Sequence, residues 1–127
     1  AKVAGAATVT LWGSGTPRRE FLYVDDCAAA CLHLMQHYDG DSFYNIGGGE
    51  DLAIAELARL VAEVVGFRGQ FVHDTSKPDG MPRKMLDSAR IFASGWRPEV
   101  GLREGIERTY RWFLGNVVKG MPGGSSL

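Results

Sequence analysis

The 127-residue sequence has no apolar run long enough for a membrane span or a secretory core, and its reading is that of a cytoplasmic chain that does not engage a membrane. With only two cysteines, Cys27 and Cys31, it has no disulfide framework to read. A formal charge of −1 gives none of the cationic excess on which a broad nucleic-acid surface leans, so any positive potential has to be local. Nor is there a complete GxGxxG dinucleotide fingerprint. Gly13-Ser14-Gly15-Thr16-Pro17-Arg18 matches it poorly, and Gly47, Gly48 and Gly49 lack a third glycine at the required offset and the acidic residue that should follow a second strand. At this length a single core is possible, and an apolar fraction of 45% is ordinary for a globular chain.

What is present is concentrated in two segments. Trp12 to Asp26, WGSGTPRREFLYVDD, delivers two arginines and an aromatic through a Gly-Pro turn just before a helix begins. Gly13 and Gly15 allow backbone angles closed to other residues, Arg18 and Arg19 carry fixed donor forks that fit phosphate oxygens, and Trp12 offers a flat face to a base or sugar. Turn geometry and solubility account for such a hairpin equally well. Asp74 to Asp87, DTSKPDGMPRKMLD, gathers Lys77, Arg83 and Lys84 around Pro, Gly and Asp, with no apolar period until Met85. At about fourteen residues it is long for a structureless connection, and loops of that length are often functional. Two cationic, glycine-containing loops favour a site for a phosphorylated, ring-bearing ligand.

Cys27 and Cys31 lie four apart in a candidate helix, as do His33 and His37. The HxxxH spacing resembles that of zinc peptidases, but Leu34 stands where the general-base glutamate would be. Cys31 and His33 point about 200° apart on a helix, so the four cannot share one ligand sphere. No metal is expected. The cysteines read as buried small hydrophobes on one face, with exposed imidazoles on another.

The coarse pattern is α/β: a small mixed domain of short strands and about four helices. Strands are expected at Thr8 to Trp12, Phe21 to Val24, Phe43 to Ile46 and Phe71 to His73. A helix from about Asp26 to Tyr38 would be capped by Asp25 and ended by Gly40, and Ile54 to Val65 keeps an amphipathic period closed by Gly66. Ser88 can cap a short helix to Ala93, and Leu102, Ile106, Tyr110 and Phe113 mark a last helix stopping near Gly115. Ala53 occupies the cap position three residues before Glu56, so the reciprocal capping box is broken, at an expected cost of about 1 kcal/mol. Residues 1–116 form the expected domain, with 117–127 a flexible tail. Trp96 and Trp112 are expected to pack, since neither lies in a cationic loop.

WGSGTPRREFLYVDD, YNIGGGE (Tyr44 to Glu50), DTSKPDGMPRK (Asp74 to Lys84) and GWRP (Gly95 to Pro98) together resemble the carboxy-terminal portion of the GDP-L-fucose synthases. These are extended short-chain dehydrogenase/reductases among the NAD-dependent epimerase/dehydratase enzymes. The resemblance runs in order from about Lys2 to about Asn116. The REF segment is shared in looser form across nucleotide-sugar epimerases, and KPDGMPRK is the more specific string.

The resemblance implies that Trp12 and Arg19 line a nucleotide-sugar pocket, with Arg19 aimed at the pyrophosphate. Asp79 and Lys84 match a second substrate-binding segment, where a carboxylate can accept from ribose hydroxyls or a guanine edge and a lysine answers phosphate. Arg83 and Lys77 are included as neighbours, and for Asp79 a plain turn role in PDG is the alternative. The family's Rossmann half, its YxxxK proton-transfer pair and its Cys/His acid/base pair have no counterpart in this sequence, in which no tyrosine is followed four positions later by lysine. The implied role is binding of a GDP-sugar without catalytic residues or a cofactor on this chain, NADPH belonging to the complete enzyme. The alternative is a stand-alone, non-catalytic nucleotide-binding or protein-interaction module. Apolar groups that would face the Rossmann half are expected to be covered in a homodimer or by that missing half.

Overall fold

The computed structural model describes residue 2 and residues 4–118. In chain order its elements are β1 (Thr8–Trp12), β2 (Arg18–Glu20), α1 (Val24–His37), β3 (Asp51–Ala53), α2 (Ile54–Val65), β4 (Gln70–Asp74), β5 (Arg83–Lys84), α3 (Ala89–Ala93) and α4 (Leu102–Asn116). This is the mixed α/β domain of short strands and four helices that the sequence pattern predicts. β1 and β4 pair in parallel, Thr8 opposite Gln70 and Trp12 opposite Asp74. In the second sheet β2 is central, antiparallel to β3 and parallel to β5.

α2 has the clearest sequence cause. Its apolar residues recur at helical spacing, and Gly66 ends it at φ 69°, a left-handed conformation suited to glycine. Leu57, Val61 and Val65 line a cavity of about 570 Å³ with Ile106, Tyr110 and Phe113 of α4. The same three residues line a second cavity, about 390 Å³, with Val9, Leu11 and Phe71 of the parallel strands. The tightest packing lies elsewhere: Ala30, Ile91 and Trp96 are buried together, with Leu22, Leu34, Tyr44, Ile46 and Phe92 against them.

Several expectations are corrected. The expected strand at Phe21 to Val24 is displaced to Arg18–Glu20, because that stretch has ladder partners on both sides. Val24 already opens α1. Phe43 to Ile46 is not a strand; side chains hold it instead, Arg90 donating to the Phe43 carbonyl at 2.8 Å and lying 4.1 Å from the Tyr44 ring centroid. Asp25 does not cap α1, whose N-cap is Tyr23, and the helix ends at an extended Tyr38 before Gly40 is reached. The neighbouring Asp26 is buried and accepts from the Glu99 and Val100 N–H groups at 3.1 and 3.0 Å. At α3 the cap bond comes from Asp87, which accepts from the Ala89 N–H at 3.0 Å, while the buried Ser88 hydroxyl has no partner among the described residues.

The capping box of α2 is half intact. Glu56 accepts from the Ala53 N–H at 2.8 Å, and only the bond an Ala53 methyl cannot make is lost. The carbonyls of Pro17 and Gly15 take the next two N–H groups, of Ile54 and Ala55, at 3.0 and 2.9 Å. The glycine-proline turn therefore supplies acceptors for the first two N–H groups of α2, including the second, which a serine cap could have taken.

Past the expected boundary at 116, Val118 is buried. The rest of the expected tail, 119–127, lies outside the described residues.

Candidate functional site

The two loops singled out in the sequence meet. Loop 13–17 follows β1 and loop 75–82 follows β4, and the parallel pairing of these strands brings both to the same end of the ladder. The Ser14 N–H donates to Asp79 Oδ1 at 2.8 Å and the Ser14 hydroxyl to Oδ2 at 2.7 Å. Gly13 makes the approach possible: at φ 76° it sits where an added Cβ would stand 2.2 Å from Asp79 Oδ1. These hydrogen bonds hold the Asp79 carboxyl below its usual pKa against a partial desolvation, with a smaller favourable field from His73.

β2 sorts its two arginines onto opposite faces. Arg18 is in register with Ala53 and Arg83, so Arg18, Arg83 and, two residues along β3, Asp51 share one face. Arg18 Nε donates to Asp51 Oδ1 at 2.8 Å, Arg83 Nε donates to Oδ2, and the Asp51 side chain is only 5% exposed. The two guanidinium groups, Arg83 foremost, hold the Asp51 carboxyl below the ordinary range. Glu20 lies on this face as well and accepts from the N–H groups of Gly49 and Leu86 at 2.7 and 3.0 Å.

Arg19 points the other way, in register with Leu52 and Lys84. Its Nη1 donates to the carbonyls of Arg18 and Met81 at 2.7 and 2.8 Å. Among the described residues no carboxylate lies in ion-pair range of it, whereas Arg18 and Arg83 both have one. Its Nη2 lies against Gly80, where an added Cβ would come within 3.2 Å. Lys84 is exposed beside it. Trp12 is 75% exposed and so is not a core residue, and Lys77 Nζ lies 5.7 Å from its ring centroid.

Of the residues marked in the sequence, then, Arg19 and Lys84 share a cationic face, Asp79 joins the loops, Trp12 and Lys77 form an exposed pair, and Arg83 is engaged with Asp51. Ser14 and Asp51 escaped sequence reading. Asp51 carried one usable signal, an acidic residue beside a glycine run in a chain with arginines to balance. Trp96 packs as expected, but Trp112 is 62% exposed.

Cys27 and Cys31 are exposed, contrary to the buried reading. Their face is one apolar stripe of α1, comprising Val24, Cys27, Ala28, Cys31, Leu32 and Met35, and every member is exposed. The imidazoles of His33 and His37 stack at 4.6 Å on another face, with His33 bonded to Ser94 at 3.0 Å. The glycine run does not suit a dinucleotide, because it leads into no helix directly and the Gly49 N–H is bonded to a carboxylate, which would repel a pyrophosphate. Among the described residues no helix is long and apolar enough to cross a membrane.

A family model described as NAD dependent epimerase/dehydratase matches residues 1–47. The chain is 53% identical over 118 residues to a probable GDP-L-fucose synthase 1 of Oryza sativa subsp. japonica, an alignment spanning 93% of this chain and 36% of that protein. A GDP-L-fucose synthetase from Naegleria fowleri has a similar structure, with a TM-score of 0.80 at 29% identity over 86% of this chain and 34% of that one. A UDP-glucose 4-epimerase from Thermotoga maritima, solved with UDP-glucose, gives 0.77 at 29% identity, covering 87% and 36%. The chain thus spans about a third of the length of these relatives.

Proposed function

Because this chain is homologous to the GDP-L-fucose synthases of the NAD-dependent epimerase/dehydratase family, we propose that it is the part of such an enzyme that holds the GDP-sugar. The observation that carries the reading is the sorting of cations on β2. Arg18 and Arg83 are both ion-paired with Asp51, Arg18 reaching Glu56 as well at 3.6 Å, while Arg19, in register with Lys84, is held in place by carbonyls that leave its charge uncompensated. A guanidinium fixed in this way is preorganised for a diphosphate, to which it can present Nε and Nη2 as a fork. Lys84 adds a point charge. Trp12 supplies the flat face for base or sugar, and Asp79 accepts from ribose or guanine.

In this reading the chain's own residues bind and orient. Hydride and proton transfer in the complete family enzyme, which converts GDP-4-keto-6-deoxy-mannose to GDP-L-fucose with NADPH, fall to the two thirds of its length that have no counterpart here.

The test is calorimetric titration with GDP and GDP-mannose, with UDP-glucose as comparator because the fold is shared with a UDP-sugar enzyme. A few charge-assisted bonds of about 1.5 to 3 kcal/mol each, less the cost of association, give weak but measurable affinity. Guanine-selective saturation is the expected result. Equal or absent binding would overturn the reading and favour the stand-alone interaction module.

The exposed α1 stripe belongs to the same picture. An apolar row of this kind is what a helix shows when its covering partner is absent, and here the covering partner is the remainder of the enzyme. In the isolated chain the stripe pairs with a second copy. Light scattering is expected to report a mass that rises with concentration toward a dimer; a monodisperse monomer throughout would refute the self-association.

A further inference from the structure

The Ser14 hydroxyl stands at the join of the two loops with all its hydrogen-bonding capacity engaged. Its single proton goes to Asp79 Oδ2, so the Thr16 hydroxyl, 2.7 Å away, must donate to it, and the Thr16 N–H donates as well at 3.1 Å. Through this one oxygen, loop 75–82 is tied to the turn whose Gly15 and Pro17 carbonyls receive the first N–H groups of α2. Loop 75–82 in turn carries Pro82, whose carbonyl receives the Arg18 N–H at 2.8 Å, and Met81, whose carbonyl holds Arg19 Nη1.

We propose that Ser14 is a positioning residue: its paired bonds to Asp79 form a latch that fixes loop 75–82 against loop 13–17 and thereby sets the Arg19 guanidinium before any ligand arrives. Both Asp79 oxygens already accept from Ser14, so the carboxylate serves the site first as a fastener and only secondarily as a ligand contact. This deepens the GDP-sugar reading by assigning to Ser14 a role in the same site. The latch itself is a property of the ligand-free chain. The titratable group whose field reaches the Asp79 carboxylate is His73 of β4; Arg19 Nη2 of β2 lies against the adjacent Gly80, and Lys77 of the loop lies over Trp12.

The decisive measurements are made by NMR on the full chain without ligand. The Ser14 amide proton is expected to report the ionisation of Asp79, with a midpoint below the ordinary carboxylate range. Ser14→Ala should move the Asp79 midpoint upward, accelerate amide exchange across 75–80 and expose the Arg19 side-chain Nε–H and Nη–H to solvent exchange. Ser14→Thr, which keeps the hydroxyl, should restore all three. A merely structural loss would lower stability without changing Arg19 side-chain exchange in the folded chain. In a parallel titration with GDP, Ser14→Ala should weaken binding roughly tenfold. An unchanged Asp79 midpoint and unchanged Arg19 exchange in Ser14→Ala overturn the latch whatever GDP does. Failure of the unmodified chain to bind GDP, with the latch signatures present, overturns the GDP-sugar reading and leaves the latch standing. GDP binding that is indifferent to Ser14→Ala overturns the positioning role.

Discussion

Arg19→Ala is expected to weaken GDP binding roughly 10- to 100-fold, the loss of one or two charge-assisted bonds, with little change in the fold. The argument rests on what surrounds the guanidinium. Its hydrogen bonds within the chain are to two carbonyls, neutral groups, so truncation leaves no buried charge behind. Arg19→Lys should recover only part of the affinity, since an ammonium keeps the charge but loses the planar fork. Arg18→Ala provides the contrast. It removes a partner of the shielded Asp51, so it should lower the unfolding midpoint while leaving GDP affinity within about twofold, because Arg18 faces away from the proposed ligand. Calorimetry and thermal unfolding on the same three variants separate the two arginines. Equal effects on affinity would mean that the two faces of β2 are not functionally distinct.

The largest effect on stability is expected at Ile91→Ala, about 3 kcal/mol. Among the described residues Ile91 is the largest side chain that is completely inaccessible, and it belongs to one buried cluster with Ala30 and Trp96, on which Phe92 stacks. Truncation removes two methyl groups and a methylene and leaves a void that a rigid indole cannot fill. In a chain of this size the loss should lower the thermal midpoint by roughly 12 °C, and Ile91→Val should cost about a third as much. Urea unfolding followed by circular dichroism measures both. A change under about 1 kcal/mol for Ile91→Ala would place the centre of stability elsewhere, in the α2–α4 layer.

Elements whose signal lies in their own periodicity were legible in the sequence. Thr8 to Trp12 alternates in burial, Ile54 to Val65 repeats at helical spacing and is closed by glycine, and Leu102, Ile106, Tyr110 and Phe113 mark α4. Elements defined by a distant partner were not. Phe43 to Ile46 has strand-like residues, but a strand exists only where a ladder forms, and there the Arg90 guanidinium takes a carbonyl instead. The true strand, Arg18–Glu20, is charged throughout and becomes a strand because β3 and β5 flank it.

The same distinction governs the site. Composition alone located both loops. It could not tell Arg18 from its neighbour Arg19, a difference that depends on β2 register, nor foresee that Arg83 would be drawn to Asp51. The Ser14 and Asp79 contact spans 65 positions and requires Gly13 to surrender the space of a side chain, which no local pattern encodes.

The parallel pairing of β1 with β4 has a consequence for how the chain must be made. Thr8 finds its ladder partner only at Gln70, so everything from the first loop through α2 has to be synthesised before the first strand can settle. Loop 13–17 likewise has no counterpart until loop 75–82, which follows β4, has left the ribosome. A premature stop between Val65 and Gln70 would therefore leave β1 without its β4 partner and α2 without β4 beneath it, a species for chaperones and proteases.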